Sequence, residues 1–586
     1  MPFGAECLPN GSVRFRLWAP KAHNVDLSLS EREAPLPMVQ QKDGWFELVT
    51  SEAKEGSRYQ YQINGGLKVP DPASRFQPSD VHGPSQVIDP TSFQWQDSDW
   101  GGRPWEEAVI YELHLGTFSP EGTFAGVEKK LDYLANLGIT AIELMPVSDF
   151  AGKRNWGYDG VLPFAPDSAY GHPDDLKHLI QSAHAKGMMV FLDVVYNHFG
   201  PEGNYLREYS PEFFTSRHHT PWGDGINFDG EKSRTVRDFF IQNALYWLQE
   251  YNFDGLRLDA VHAILDDSRP AILQELAEVI RKKFGPEKQV HLILENGDNE
   301  AHYLERDQDQ NTKWFDAQWN DDIHHALHVL ITGETDGYYS DFSKQPLVQL
   351  GRCLSEGFAY QSDISEYHGN ALRGEPSRHL PPSAFVSFLQ NHDQIGNRAF
   401  GDRILEAADP QALRAAISIL LLSPAPPLLF MGEEFGAKTP FLFFCDFEGD
   451  LAKAVTNGRR NEFSRFAKFS SEETRSRIPD PNAEATFLSS KLDWTTINEP
   501  LHHNWSEFYR TLLTLRREHI IPHMANKVCA KFVLQGTTGL IVTWDFNNDT
   551  TLTLLTNMGT SPIPMPPRPN GDLIFTNDES VTSAWN

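Results

Sequence analysis

Cysteine is scarce in this chain. Only four occur in 586 residues, Cys7, Cys353, Cys445 and Cys529, and none stands in Cys-x-x-Cys spacing. That scatter argues against a zinc site and a disulfide scaffold, and it fits a reducing compartment. Positive charge is short as well. Lysine and arginine number 51 against 80 aspartates and glutamates, a net charge of -29, which disfavours nucleic acid or an anionic membrane as partner and suits a neutral one such as a sugar. The opening residues, MPFGAECLPNGSVRFRLWAP, hold neither a basic start followed by an apolar run nor a membrane-spanning segment, so a cytoplasmic location is expected. Short-period repeats, low-complexity tracts and the glycine-rich phosphate turn of nucleotide-binding folds are also missing.

What is present is a globular composition, 40% hydrophobic and 12% aromatic, on a chain too long for a single core. Residues 1–100 carry short β-rich pieces such as Ser12 to Trp18 and Tyr59 to Ile63, which predict an immunoglobulin-like β-sandwich. The tryptophan-rich stretch from Trp95 to Trp105 reads as a joint. From Ala108 onward an amphipathic helix, a glycine and a buried strand recur. Phe124, Val127, Leu131 and Leu134 precede Gly138 and a strand from Ile139 to Pro146; Leu176 to Ala183 precede Gly187 and Met188 to Val195. Val236 to Leu248 precede Gly255, and Ile272 to Ile280 precede Gly285 and Val290 to Glu295. Phe385 to Leu389 and Leu428 to Met431 read as further strands. This alternation predicts an α/β fold, a (β/α)8 barrel over 101–520 with insertions at Asn197 to Asp229 and at about Lys453 to Trp494, closed by a helix from Trp505 to Arg517. A small C-terminal β domain is expected over 521–586.

Polar residues cluster where the predicted strands end. Met188 to Val195 runs into Tyr196-Asn197-His198, Gly255-Leu256-Arg257-Leu258 delivers Asp259, Val290 to Leu294 delivers Glu295, and Phe385 to Leu389 leads to Asn391-His392-Asp393. In such a barrel these ends share one mouth. Arg257 and Asp259 lie on one face of their strand, and for that pair alone a structural ion pair is as good a reading as a catalytic one. Three carboxylates at one mouth suit retaining glycoside hydrolysis, which needs an ionised nucleophile and a protonated acid about 5 to 5.5 Å apart. Asp259 beside Arg257 is expected to have a lowered pKa. Glu295 follows three apolar residues with no cation adjacent in sequence and is expected to have a raised one. Asp393 is the candidate stabiliser of a cationic transition state, and neutral His198 and His392 can donate hydrogen bonds to a sugar.

The stretches Asp193 to His198, Gly255 to Asp259, Glu295-Asn296 and Asn391 to Asp393 resemble, in order and spacing, the four signature regions of the α-amylase family of glycoside hydrolases. The resemblance implies a barrel enzyme with Asp259 as nucleophile, Glu295 as acid/base and Asp393 as transition-state stabiliser. Arg257, His198 and His392 would support them, with Asp193 and Asn197 shaping the mouth. Further stretches, YELHLGTF from Tyr111, NWGYDG from Asn155, NHDQIGNR from Asn391, MGEE from Met431 and IPDPNAEA from Ile478, are similar to a trehalose-releasing group within the family. That likeness implies cleavage of the α-1,4 bond beside the terminal trehalose of maltooligosyl trehalose. Branching and debranching enzymes share several of these stretches and are the alternative; a non-catalytic glycan-binding barrel is a third reading, which the presence of all three acids opposes. Trp156, Tyr158, Trp222 and Phe228 are candidate sugar platforms or packing residues, and Asp159, His262, Gln394 and Arg398 are candidates for hydroxyl recognition. Asp307 to Asn311 begins like a calcium loop, but Thr312 replaces its glycine and Gln318 its final glutamate, so neither a metal nor a cofactor is expected.

Overall fold

The computed structural model describes residues 2–285, 288–469, 471–524, 528–546, 550–564 and 567–578. Residues 4–86 carry two antiparallel sheets. One joins Gly4–Cys7, Val13–Trp18, Trp45–Thr50 and Val39–Gln40; the other joins Leu36–Pro37, Val25–Leu29, Arg58–Ile63 and Lys68–Val69, with Ser85–Gln86 added on Arg58–Ile63. Alternation drives the packing: Val25, Leu27 and Leu29 are buried while Asp26 and Ser28 are not, as a sheet with one face inward requires.

The stretch from Trp95 to Trp105 is built into the next unit. Trp100 donates its indole N–H to Asp254 Oδ1 at 2.7 Å and stacks on His184 with ring centroids 4.8 Å apart. Trp105 donates to the Ser383 carbonyl at 2.6 Å and packs with Ile110, Phe191, Ile293, Trp319 and Val386 in the interior of a barrel. That barrel closes eight parallel strands in the order Ile110–Leu113, Ala141–Leu144, Met189–Val194, Gly255–Leu258, His291–Leu294, Ala317–Trp319, Phe385–Phe388 and Pro427–Phe430. Six lie where the apolar runs predict. The other two escape the pattern, since Ile110–Leu113 carries an acid and Ala317–Trp319 has only three residues. Gly255 allows the fourth strand its close approach to the fifth, because a Cβ there would stand 2.4 Å from the His291 carbonyl oxygen.

Helices Pro173–His184, Ser233–Glu250 and Ile272–Phe284 occupy the predicted positions. The helix expected around Phe124 is instead two, Phe124–Glu128 and Leu131–Leu137, the second ending on Gly138 at φ 108. Pro500–His519 packs back on Leu131–Leu137 and Pro410–Leu422. The insertion after the third strand forms a hairpin, Phe214–Thr220 with Gly223–Ile226, and the polar insertion begins with helix Gly449–Glu462. Val528–Gln535, Gly539–Phe546 and Thr550–Asn557 make a three-stranded antiparallel sheet; the last part of the expected C-terminal domain, 579–586, lies outside the described residues. Among the described residues no helix is long and apolar enough to cross a membrane.

Candidate active site

Strand register brings the acids together. The fourth and fifth strands pair Leu258 with Leu294, so Asp259 and Glu295 emerge side by side one residue later, with the Glu295 N–H donating to the Leu258 carbonyl at 3.0 Å. Both Asp259 oxygens are held: Arg257 Nη1 lies 2.8 Å from Oδ1, and Asn197 Nδ2 donates to Oδ2 at 3.0 Å and to the backbone carbonyl at 2.9 Å. Arg257 is fully buried and also donates to Asp193 Oδ2 at 2.6 Å. Such an arrangement fixes the carboxylate in direction.

Glu295 does have a cation nearby, contrary to the reading from its sequence neighbours. Arg257 Nη2 stands 3.5 Å from Oε2, because neighbouring strands put the two side chains on one face. Burial nonetheless raises the pKa of Glu295, and the charges of Asp259 and Asp393 add to it against the pull of Arg257. Ala260 donates its N–H to Glu295 Oε2 at 2.5 Å, and does so from a left-handed backbone at φ 41.

His198 and His392 differ in charge. Burial lowers the pKa of His198, whose Nε2 is 3.0 Å from the Tyr158 carbonyl and whose Nδ1 meets Asn197. His392 is not the neutral donor expected from sequence. Burial alone would lower its pKa, but Asp393 and Glu112 outweigh that and raise it to about 9, with Nδ1 2.5 Å from Glu112 Oε1. Glu112, on the first strand, thus anchors a site histidine, and its signal in the sequence is an acid inside an otherwise apolar strand. Tyr158 stacks on His392 with centroids 5.1 Å apart and donates its hydroxyl to Asp193 Oδ2 at 2.6 Å.

The other candidates have the following partners. Trp156 is buried, stacks on Phe441 and donates to the Leu442 carbonyl at 2.9 Å. Phe228 is buried against Phe240. Trp222, at the hairpin tip, is 51% exposed and lies parallel to His198 with centroids 4.4 Å apart. Asp159 accepts from Asn155 Nδ2 at 2.7 Å, and Arg398 forks onto Glu334 at 2.8 and 3.0 Å. Exposed His262 accepts the Gly297 N–H through Nδ1 at 3.2 Å. Gln394 Oε1 accepts the Asn391 N–H at 3.2 Å, which fixes the start of the helix that carries Asp393. Among the described residues His218, Asp229 and Asp267 bring ligand atoms within 4.8 Å of one another. Arg217 and the Asp267 N–H already occupy Asp229, at 3.1 and 3.0 Å. In the loop that begins like a calcium site, Asp307 Oδ1 accepts the N–H groups of Asp309 and Asn311, each at 2.9 Å.

The chain is similar to known proteins over most of its length. Residues 2–74 match the carbohydrate-binding module 48, the isoamylase N-terminal domain, and residues 75–245 match the α-amylase catalytic domain. A malto-oligosyltrehalose trehalohydrolase from Saccharolobus solfataricus is 40% identical over 89% of this chain and 87% of its own; that of Deinococcus radiodurans is 42% identical over 89% and 84%. The chain belongs to the malto-oligosyltrehalose trehalohydrolase family. A Salmonella typhimurium chain provisionally called an α-amylase, solved at 1.4 Å, superposes on this trehalohydrolase-family fold with a TM-score of 0.93 at 46% identity, covering 98% of this chain and 96% of that one. A pullulanase from Paenibacillus barengoltzii, 20% identical with a TM-score of 0.68 over 95% and 87%, shares the fold.

Proposed function

We propose that the chain is a retaining glycoside hydrolase that cuts the α-1,4 bond beside the terminal trehalose of maltooligosyl trehalose and releases trehalose. Its substrates belong to the α-glucans. Asp259 attacks the anomeric carbon, Glu295 protonates the leaving oxygen and later takes a proton from water, and Asp393 faces the cationic transition state. The observation that carries this reading is the adjacency of a doubly held carboxylate, Asp259, and a carboxyl with a raised pKa, Glu295, on neighbouring strands. A carboxylate held by donors at both oxygens suits the nucleophile, and a carboxyl with a raised pKa suits the acid. Arg257, Asn197, Tyr158, His198 and charged His392 fix these groups and border the donor sugar. We also infer a cytoplasmic location, which four unpaired cysteines suit.

Chromatography of the products from maltotriosyl trehalose tests the reading. Trehalose plus maltotriose is expected, with the new maltotriose end in the α configuration by early-time NMR. Glucose and shorter maltooligosaccharides alone, or an inverted end, would remove it. Amylose separates the branching alternative, which would change iodine staining without new reducing ends.

A further inference from the structure

Two cations without a counter-ion share one cavity at the end of the barrel opposite the acids. The cavity measures about 530 Å³ and is lined by Trp105, by His291 and Asp316 at the starts of the fifth and sixth strands, and by Ser383 shortly before the seventh. It therefore lies against the amino ends of the strands, whereas Asp259 and Glu295 follow their carboxyl ends. A neutral glucan cut at the far face gives no reason for charge here.

Lys288 and Arg306 supply that charge, and both line the cavity. Lys288 Nζ donates to the Leu248 carbonyl at 3.2 Å. Arg306 donates only to main-chain carbonyls, those of Leu304, Phe315 and Asp316, at 2.6, 3.2 and 2.6 Å. Among the described residues neither has a carboxylate oxygen within 4.0 Å. Burial lowers the pKa of both, as it does for a cation that has lost water without gaining an acid.

Arg281, in the same wall, shows the paired alternative. Its Nη2 lies 2.5 Å from Asp316 Oδ2, Nη1 donates to the Val290 carbonyl at 2.6 Å, and Nε and Nη2 reach the Trp314 carbonyl at 3.3 and 3.1 Å. That fork is already used, so it is not offered to a carboxylate from outside. Glu106 is the other acid of the lining, and it forms no ion pair among the described residues.

We propose that this cavity binds a small phosphorylated molecule whose phosphate is held by Lys288 and Arg306. A phosphate monoester brings close to two negative charges and three acceptor oxygens, which suits two separate cations better than a single-charged planar carboxylate does. Phe284, Leu380 and Met524 line the same space and give its organic part an apolar wall. The volume is that of a site for a small organic ligand and exceeds what a bare ion needs.

Calorimetric titration of the full chain with inorganic phosphate, glucose 6-phosphate, adenosine monophosphate, glucose and citrate tests the proposal. At least one of the two esters should bind saturably and more tightly than inorganic phosphate, and neither glucose nor citrate should match it. Losing one charged hydrogen bond should weaken that ester by about 10- to 100-fold in Lys288→Gln and in Arg306→Gln, while Glu106→Gln, which removes the unpaired acid, should tighten it. No saturable binding of either ester, glucose or citrate bound as tightly, or an affinity unchanged in Lys288→Gln overturns the proposal. Should Arg306→Gln fail to fold, Lys288→Gln decides the matter, since its thermal melt without ligand is expected to match the wild type.

Discussion

The guanidinium of Arg257 lies over the indole ring of Trp319, 4.1 Å from its centroid. The ring supports one face of the cation, while its edge serves Asp193, Asp259 and Glu295 at 2.6, 2.8 and 3.5 Å. A planar fork can do this and an ammonium cannot. Arg257→Lys is expected to lower kcat by more than about 100-fold. Because breaking a buried ion pair commonly costs about 3 to 5 kcal/mol, its urea midpoint should fall too; a variant with normal turnover would show that Arg257 merely fills the barrel.

Glu295→Gln keeps the shape and removes the proton. General acid catalysis commonly contributes about 10²- to 10⁴-fold, so turnover of maltotriosyl trehalose should drop by at least that range while calorimetry still detects oligosaccharide binding. Near-normal turnover would take the acid role from Glu295.

The pairing of His392 with Glu112 predicts a pH dependence of stability. The folded pKa of His392 is raised from 6.5 to about 9, so the contribution is complete below the unfolded value and is lost as pH rises through about 9. At about 1.4 kcal/mol per unit it amounts to about 3 kcal/mol. Urea unfolding of the wild type should weaken between pH 6.5 and 9, and Glu112→Gln should flatten that slope; identical slopes would rule the pair out as its source.

Ala260 holds a left-handed backbone at φ 41 between the two acids. That conformation costs a non-glycine residue about 1 to 2 kcal/mol. Ala260→Gly is therefore expected to leave stability unchanged or raise it by up to about 1 kcal/mol, while the Glu295 hydrogen bond survives and turnover stays within threefold. Ala260→Val, with a branched side chain at the same φ, should destabilise, and thermal melts of the two variants check the difference in sign.

The barrel was legible because its strands are short apolar runs that follow glycines, and those runs are a consequence of burial on both faces. The position of Asp259, Glu295 and Asp393 after successive barrel strands was legible because strand ends converge on one rim in this architecture. What escaped depended on contacts between segments far apart in the chain. Glu112 meets His392 across 280 residues, so nothing near either one announces a charged imidazole, and the neighbourhood of Glu295 conceals the guanidinium that the adjacent strand supplies. Trp156 was ambiguous for the converse reason: an aromatic on a mouth loop looks the same in sequence whether it faces a sugar or Phe441. Asp322 sits beside Asp321 in a run that reads as a helix start, and only the folded chain shows that it takes bonds from Arg373, Asn299 and two backbone N–H groups.

The insertion of Trp105 into the barrel interior has a bearing on how the molecule can be divided. Its indole is a stopper at the end opposite the acids, and Trp100 is clamped beside it on His184 and Asp254. A fragment trimmed to begin after this pair would lack its bung, exposing an open-bottomed cylinder to solvent. Anyone excising the hydrolytic unit should therefore cut upstream of Trp95.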